Sequence, residues 1–66
     1  MLLLKFIDKQ ENFVGSIFVK RIPKCGELVR FDKDLTKTYK VVNILHIYEE
    51  NHSYDLDRIN VVVELI

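Results

Sequence analysis

The sequence of 66 residues predicts one all-β domain, residues 1–66, folded as a small five-stranded SH3-like barrel or a strongly bent antiparallel sheet. Three observations predict this class. Apolar residues alternate with period two in several short segments. No apolar pattern of period 3.6 persists over ten positions, and polar, Pro or Gly turn signals separate the segments.

The first two segments read as a hairpin. The first covers residues 2–6, the second covers residues 13–19, and the polar residues 8–12 form the predicted turn. Gly15 has no side chain to pack, so we expect a bend or a close crossing of strands at this position.

A Pro and a Gly mark the next boundary. Pro23 fixes φ and Gly26 permits a positive φ, so residues 22–27 are predicted to turn. The remaining elements are a third strand over 28–32, a polar turn over 33–37, a long fourth strand over 38–49, an acidic loop over 50–57 and a last strand over 59–66.

The fourth strand contains a conflict of register. Strict alternation would bury Asn43, and an unpaired buried amide costs on the order of 1–3 kcal/mol. A β-bulge near Val42 and Asn43 removes the conflict and also bends the strand. The inward-facing residues are then Tyr39, Val41, Ile44, His46 and Tyr48.

The terminal strands supply both a core and a surplus of apolar surface. We expect Val61 and Val63 in the core, because they alternate along the last strand. A second set of apolar side chains is expected to face outward and to need cover from another copy of the chain. That set comprises Leu3, Ile7, Leu45, Ile47, Val62 and Ile66.

Composition favours an intracellular, cytoplasmic protein. The single cysteine, Cys25, rules out an internal disulfide, which small secreted domains usually need. The apolar start is too short for a signal peptide, and no apolar stretch approaches the roughly 20 residues that span a bilayer. Net charge is zero, which disfavours bulk electrostatic binding to nucleic acid.

The sequence shows no catalytic site, metal site or cofactor site. Cys25 has no nearby histidine in the sequence to act as its base. His46 and His52 occur near four carboxylates, but their spacing matches neither zinc nor calcium motifs. The four carboxylates are those of Glu49, Glu50, Asp55 and Asp57.

A basic stretch is the candidate binding site. Lys20, Arg21 and Lys24 surround the Pro–Gly turn, and phosphate groups bind such clusters. Further cations nearby in sequence are Arg30, Lys33, Lys37 and Lys40. Tyr39 or Tyr48 could offer a ring to a base. An ordinary solvated strand edge, on which lysines deter aggregation, is the alternative interpretation.

Three short patterns carry a resemblance. Pro23-x-x-Gly26-Glu27-x-Val29, Tyr39-x-Val41-x-x-Ile44-x-His46 and Val61-x-Val63-x-Leu65 together resemble short β-rich proteins of bacteria and their phages. The resemblance covers residues 22–66 and consists of turn and core positions, so it bears on fold. It implies an accessory gene of a mobile element, whose product binds and blocks something.

These observations predict a non-enzymatic binding protein that acts as a homo-oligomer. Its specific form would be a phage-type counter-defence protein that sequesters a nucleotide signal or masks a host defence protein. An SH3- or OB-like nucleic-acid-binding regulator is the alternative, which a strong salt dependence of binding would favour.

Overall fold

The protein is an all-β molecule, as the sequence predicts. A computed structural model describes residues 2–48 and 58–66. These residues form five strands in one strongly curled, half-barrel sheet, with no helix among them. The strands are β1 (Leu2–Ile7), β2 (Phe13–Val19), β3 (Leu28–Phe31), β4 (Asp34–Ile47) and β5 (Arg58–Leu65). Nothing in these ranges is a helix long and apolar enough to cross a bilayer.

One pair of strands in the sheet is parallel. The spatial order is β2-β1-β5-β4-β3, and β1 lies parallel to β5 while the other three pairs are antiparallel. The sheet is therefore mixed, since the parallel pair β1–β5 lies between antiparallel pairs. Period two in the sequence identifies the faces of a strand but not its neighbours.

The β1–β2 hairpin closes through the side chain of Asp8. Its carboxylate accepts hydrogen bonds from the backbone N–H groups of Gln10 and Asn12, at 2.9 and 2.8 Å. Glu11 takes a positive φ of 66°, and its N–H donates to the Asp8 carbonyl. Asp side chains favour such turns because they satisfy the backbone locally, and the predicted turn over residues 8–12 is confirmed.

The β3–β4 turn is tighter than the sequence suggests. Phe31 pairs with Asp34, so the turn comprises only residues 32 and 33, and β4 begins four residues earlier than predicted. The predicted turn over 33–37 is wrong because the polar residues after Asp34 lie along an extended strand. Asp34 accepts hydrogen bonds from the backbone N–H and the hydroxyl of Thr36.

The predicted bulge in β4 is confirmed. The register against β5 shifts between Val41 and Asn43: Val41 lies opposite Val63, whereas Asn43 lies opposite Val62. Asn43 is exposed and its side-chain oxygen accepts from the Ile44 N–H at 2.9 Å. The extra residue therefore removes a polar amide from the core.

The core lies on the concave side of the sheet. Val61 and Val63 are fully buried, as predicted, and they pack with buried residues of β1 and β4. The other members of this cluster are Leu4, Phe6, Val41 and Ile59.

The predicted outward-facing set is mostly correct. Leu3, Leu45 and Ile66 are exposed, whereas Ile47 and Val62 are half-buried. Ile7 is a correction, because only 6% of it is exposed. The register of β1 against β2 shifts between Phe6 and Ile7, so these two consecutive residues are both buried.

The predicted acidic loop over 50–57 and the end of the fourth strand at Glu49 lie outside the described residues.

Candidate ligand-binding groove

A groove opens where the curled sheet brings its two edge strands together. β2 and β3 are the edges of the sheet, and the pairing of the strands between them makes these two run antiparallel to each other. Between them lies a cavity of about 530 Å³, here called the seam groove. It is lined by Leu4, Phe6, Ile17, Val19, Lys20, Arg21, Pro23, Glu27, Val29, Arg30 and Phe31.

Side chains close one end of the seam. The Phe31 ring lies against Gly15, where an added Cβ would stand 3.3 Å from a ring carbon. Lys33 Nζ donates a hydrogen bond to the Val14 carbonyl at 3.0 Å and lies 5.9 Å from the centre of the Phe31 ring. These contacts, here called the latch, join β2 to β3. The expected close crossing at Gly15 is confirmed.

The Pro–Gly turn shapes the open end. The Glu27 N–H donates to the Lys24 carbonyl at 3.1 Å, and Gly26 has φ +93°. A positive φ at the third position is the signature of a type II turn, which explains the glycine. Gly26 and Glu27 then exchange backbone hydrogen bonds with Val41, which anchors the turn on β4.

The floor of the groove is apolar and its rim is basic. Above the buried core residues Leu4 and Phe6, the floor is formed by Ile17, which is exposed, and by the half-buried Val19 and Val29. Lys20, Arg21 and Arg30 are exposed around it. Exposed cations beside an apolar floor attract an anionic group to a site that also buries apolar surface.

The three cations differ in how they are held. Arg30 Nε donates to the Thr38 hydroxyl at 2.8 Å, which orients the guanidinium. Within the described residues, neither Lys20 nor Arg21 has an ion pair, whereas Lys9 is paired with Glu64 at 3.3 Å. One carboxylate, that of Glu27, stands among the groove residues. The rim thus keeps a net positive charge.

A second cavity of about 530 Å³ lies on the other side of Phe31. Tyr39 lines it, together with the carboxylates of Asp8 and Asp34 and the ammonium groups of Lys33 and Lys37. The hydroxyl and N–H of Thr36, aided by Lys37, lower the pKa of Asp34. The two carboxylates of this cavity balance its two ammonium groups, so the cavity has no electrostatic preference for an anion.

The structure brings together part of the predicted site. Lys20 and Arg21 line the seam groove, whereas Lys24 is exposed in the turn and is not among the groove residues. Tyr39 lines the second cavity, with its ring centre 5.8 Å from that of Phe31. Tyr48 is exposed at the end of β4, stacked on His46.

Sequence reasoning named Arg30 only as a neighbour of the basic cluster, outside the chosen site residues, and did not identify the apolar floor. Both follow from the position of β2 and β3 on the two edges of one curled sheet. The sequence did contain one signal for Arg30. The second and third strands flank the same Pro–Gly turn, so Lys20 and Arg21 precede this turn and Arg30 follows it.

The described residues include no group of three or more His, Cys, Asp or Glu side chains that could hold a metal ion. Cys25 is exposed in the turn. His46 is also exposed, and its ring centre lies 6.4 Å from that of Tyr48. The other residues considered for a metal site, His52 with Glu49, Glu50, Asp55 and Asp57, lie outside the described residues.

Comparison with known proteins adds no relative: no family model, curated protein or solved structure matches this chain.

Proposed function

We propose that this protein is a non-enzymatic binding protein that holds an anionic ligand with an apolar part in the seam groove. The observation that carries the proposal is that the apolar side chains of Ile17, Val19 and Val29, which keep exposed surface, lie in one groove with three cationic side chains. Phosphate-bearing nucleotides and acidic peptides share this chemistry, since each combines negative charge with surface that can be buried.

Binding is favoured over catalysis by the composition of the groove. A nucleophile needs a base within hydrogen-bond reach, and an acid–base mechanism needs two titrating groups near the reacting atoms. The described groove residues contain one carboxylate, Glu27, and no histidine, cysteine or serine. Cationic and apolar side chains are suited to holding a ligand.

The biological form of the proposal follows from the resemblance to short phage and bacterial proteins. A phage-type counter-defence protein would act in the cytoplasm of the host. There it would either sequester a nucleotide signal or mask a host defence protein. Either action requires affinity and no chemical step, in keeping with a site made of cations and apolar side chains.

We propose in addition that the protein acts as a homo-oligomer through its convex face. Leu3 and Phe18 lie opposite each other on β1 and β2, with 46% and 63% of their surfaces exposed. Leu3 and Ile47 line a common depression on this face, and Leu45 adds a further exposed side chain on β4. These four residues are here called the convex band. The depression also contains Lys5, Arg58 and Asn60, so the convex band combines apolar side chains with polar neighbours. Burial of its exposed apolar side chains would favour association.

Calorimetric titration tests the groove. Wild-type protein would be titrated with a panel of nucleotides and with synthetic acidic peptides, in parallel with the variant K20A/R21A. The control variant K5A/K40A removes the same charge from exposed positions outside the groove. The groove variant loses two charge-assisted contacts, so its affinity for an anionic probe is expected to fall about tenfold or more. The affinity of the control variant should stay near that of the wild type.

Equal weakening in both variants would contradict the proposal, because it would reflect net charge. Absence of binding by any anionic probe would also contradict it. Binding of single-stranded oligonucleotides with a steep salt dependence would instead favour the nucleic-acid-binding alternative.

A further inference from the structure

We propose that the ligand of the seam groove is an extended peptide segment of another protein, with apolar and acidic residues in alternation, which adds as a strand to the free edge of β3. This inference rests on the proposed function and names its ligand. Strand addition to an exposed edge is a general mode of peptide recognition, in which backbone hydrogen bonds give affinity and side-chain pockets give specificity.

Within the part of the chain that the structure describes, no strand pairs with the outer edge of β3. β4 is its neighbour on one side, and the seam groove lies on the other. The Val41 N–H donates to the Glu27 carbonyl, and Leu28 and Val29 lie opposite Lys40 and Tyr39. Because pairs alternate in an antiparallel ladder, the N–H and C=O of Leu28 point away from β4, along the outer edge of β3.

On the opposite edge, a backbone carbonyl of β2 already accepts a hydrogen bond from a side chain. The Val14 carbonyl of β2 points across the seam and accepts from Lys33 Nζ at 3.0 Å. At the closed end of the seam, the Lys33 side chain therefore supplies the hydrogen bond that a neighbouring strand would otherwise give to the Val14 carbonyl. Toward the open end the strands are lined by Ile17 and Val19 on β2 and by Val29 on β3. An added strand would cover these residues.

Side-chain chemistry sets the composition of the incoming strand. Alternate residues of an extended peptide point to opposite faces, so one set would contact Ile17, Val19 and Val29 while the other would lie near the rim. Three cations at the rim, against the carboxylate of Glu27, complement acidic residues in the second set.

The contacts of Phe31 favour a peptide over a nucleotide. Its ring packs edge to face with Phe6 at 5.1 Å and with Tyr39 at 5.8 Å, and the Lys33 ammonium lies 5.9 Å from its centre. The Phe31 ring is half-buried and already contacts three side chains, which reduces the surface that it offers to a stacked base.

The test begins with peptides selected from a random display library on the wild-type protein. We expect alternating apolar and acidic residues among the selected peptides, and a loss of about tenfold or more in affinity on the K20A/R21A variant. The best peptide would then be synthesised in two forms, each N-methylated at one of the two alternating sets of residues. One form should lose binding and the other keep it, because only one set can donate to β3.

Amide hydrogen exchange locates the added strand without altering the protein. Binding of the selected peptide should slow exchange of the Leu28 amide and leave the Val29 amide, which faces β4, unchanged. Strand addition would be overturned if the protein bound both N-methylated peptides equally well. It would also be overturned if peptide binding left the exchange rate of the Leu28 amide unchanged.

The inference and the proposed function fail separately. Groove-dependent binding of nucleotides with no selectable peptide would overturn the peptide inference and leave the binding function standing. If no anionic probe depends on Lys20 and Arg21, both proposals fall.

Discussion

At the scale of single residues, burial and local hydrogen bonding are unevenly distributed. Val61 and Val63 have no exposed surface, whereas Leu65, on the same side of β5, is 56% exposed where the strand ends. The carboxylates of Asp8 and Asp34 accept hydrogen bonds from residues close by in the sequence, Asn12 and Thr36. The fold therefore depends strongly on a few apolar positions.

Replacing Val63 by aspartate should unfold the protein. The new carboxylate would be buried in the apolar cluster without a partner, and a chain of this size has a total stability of roughly 3–10 kcal/mol. Thermal unfolding followed by circular dichroism measures the effect. The control L65D carries the same charge at an exposed position and should keep a cooperative transition. A V63D variant with the wild-type melting temperature would show that β5 faces the other way.

The stability of the protein should fall in acid partly because of Asp8. Hydrogen bonds from the backbone and the side chain of Asn12, and from the Gln10 N–H, lower the pKa of Asp8. A lowered folded-state pKa means that the contribution is present above the unfolded pKa of about 3.9 and is lost as the pH falls through the folded value. Melting temperatures of wild type and D8N, compared from neutral to acidic pH, should therefore converge. A constant difference at all pH values would contradict this origin.

At the scale of elements, the sequence predicts faces better than neighbours. Alternation identifies the inward residues of β5, and the burial cost of Asn43 predicts the bulge in β4. The parallel pairing of β1 with β5 has no local signal, because it depends on contacts far apart in the sequence. The same limit explains why Arg30 was not assigned to the groove with Lys20 and Arg21.

The turn after β3 was predicted with the wrong bounds for a local reason. A run of polar and charged residues usually marks a loop, but an exposed strand can carry the same residues. Here the Asp34 carboxylate accepts a hydrogen bond from the Thr36 N–H, as it would in a turn, while the backbone remains an extended strand. Composition alone does not distinguish these two cases.

The latch between β2 and β3 makes Gly15 intolerant of a larger side chain. An added Cβ would already lie 3.3 Å from the Phe31 ring, so the branches of valine would have to displace that ring. We expect G15V to lose about 1–3 kcal/mol of unfolding free energy through overpacking, despite the strand preference of valine. Urea titration measures the loss. The control S16V places valine on the exposed neighbour and should be neutral or stabilising. An equally stable G15V would show that the latch is loose.

At the scale of the whole molecule, the two faces of the sheet suit different partners. The seam groove combines apolar floor and positive rim, whereas the convex band is apolar across β1, β2 and β4. Zero net charge leaves no general repulsion between copies of the chain. Self-association through the convex band would leave the groove open to a ligand.

Sedimentation of the purified protein should reveal a dimer or larger assembly. The convex band exposes the apolar side chains of Leu3, Phe18 and Leu45 on three strands, and their burial between copies would favour association. The variant F18D/L45D places charges in the band at positions that are 63% and 45% exposed, so the monomer should still fold. We expect it to sediment as a monomer with a wild-type circular dichroism spectrum. The control L35D changes an exposed leucine that is not part of the convex band, and should leave the assembly intact. A wild-type protein that stays monomeric at the highest attainable concentration would refute self-association, and unchanged assembly in F18D/L45D would move the interface elsewhere.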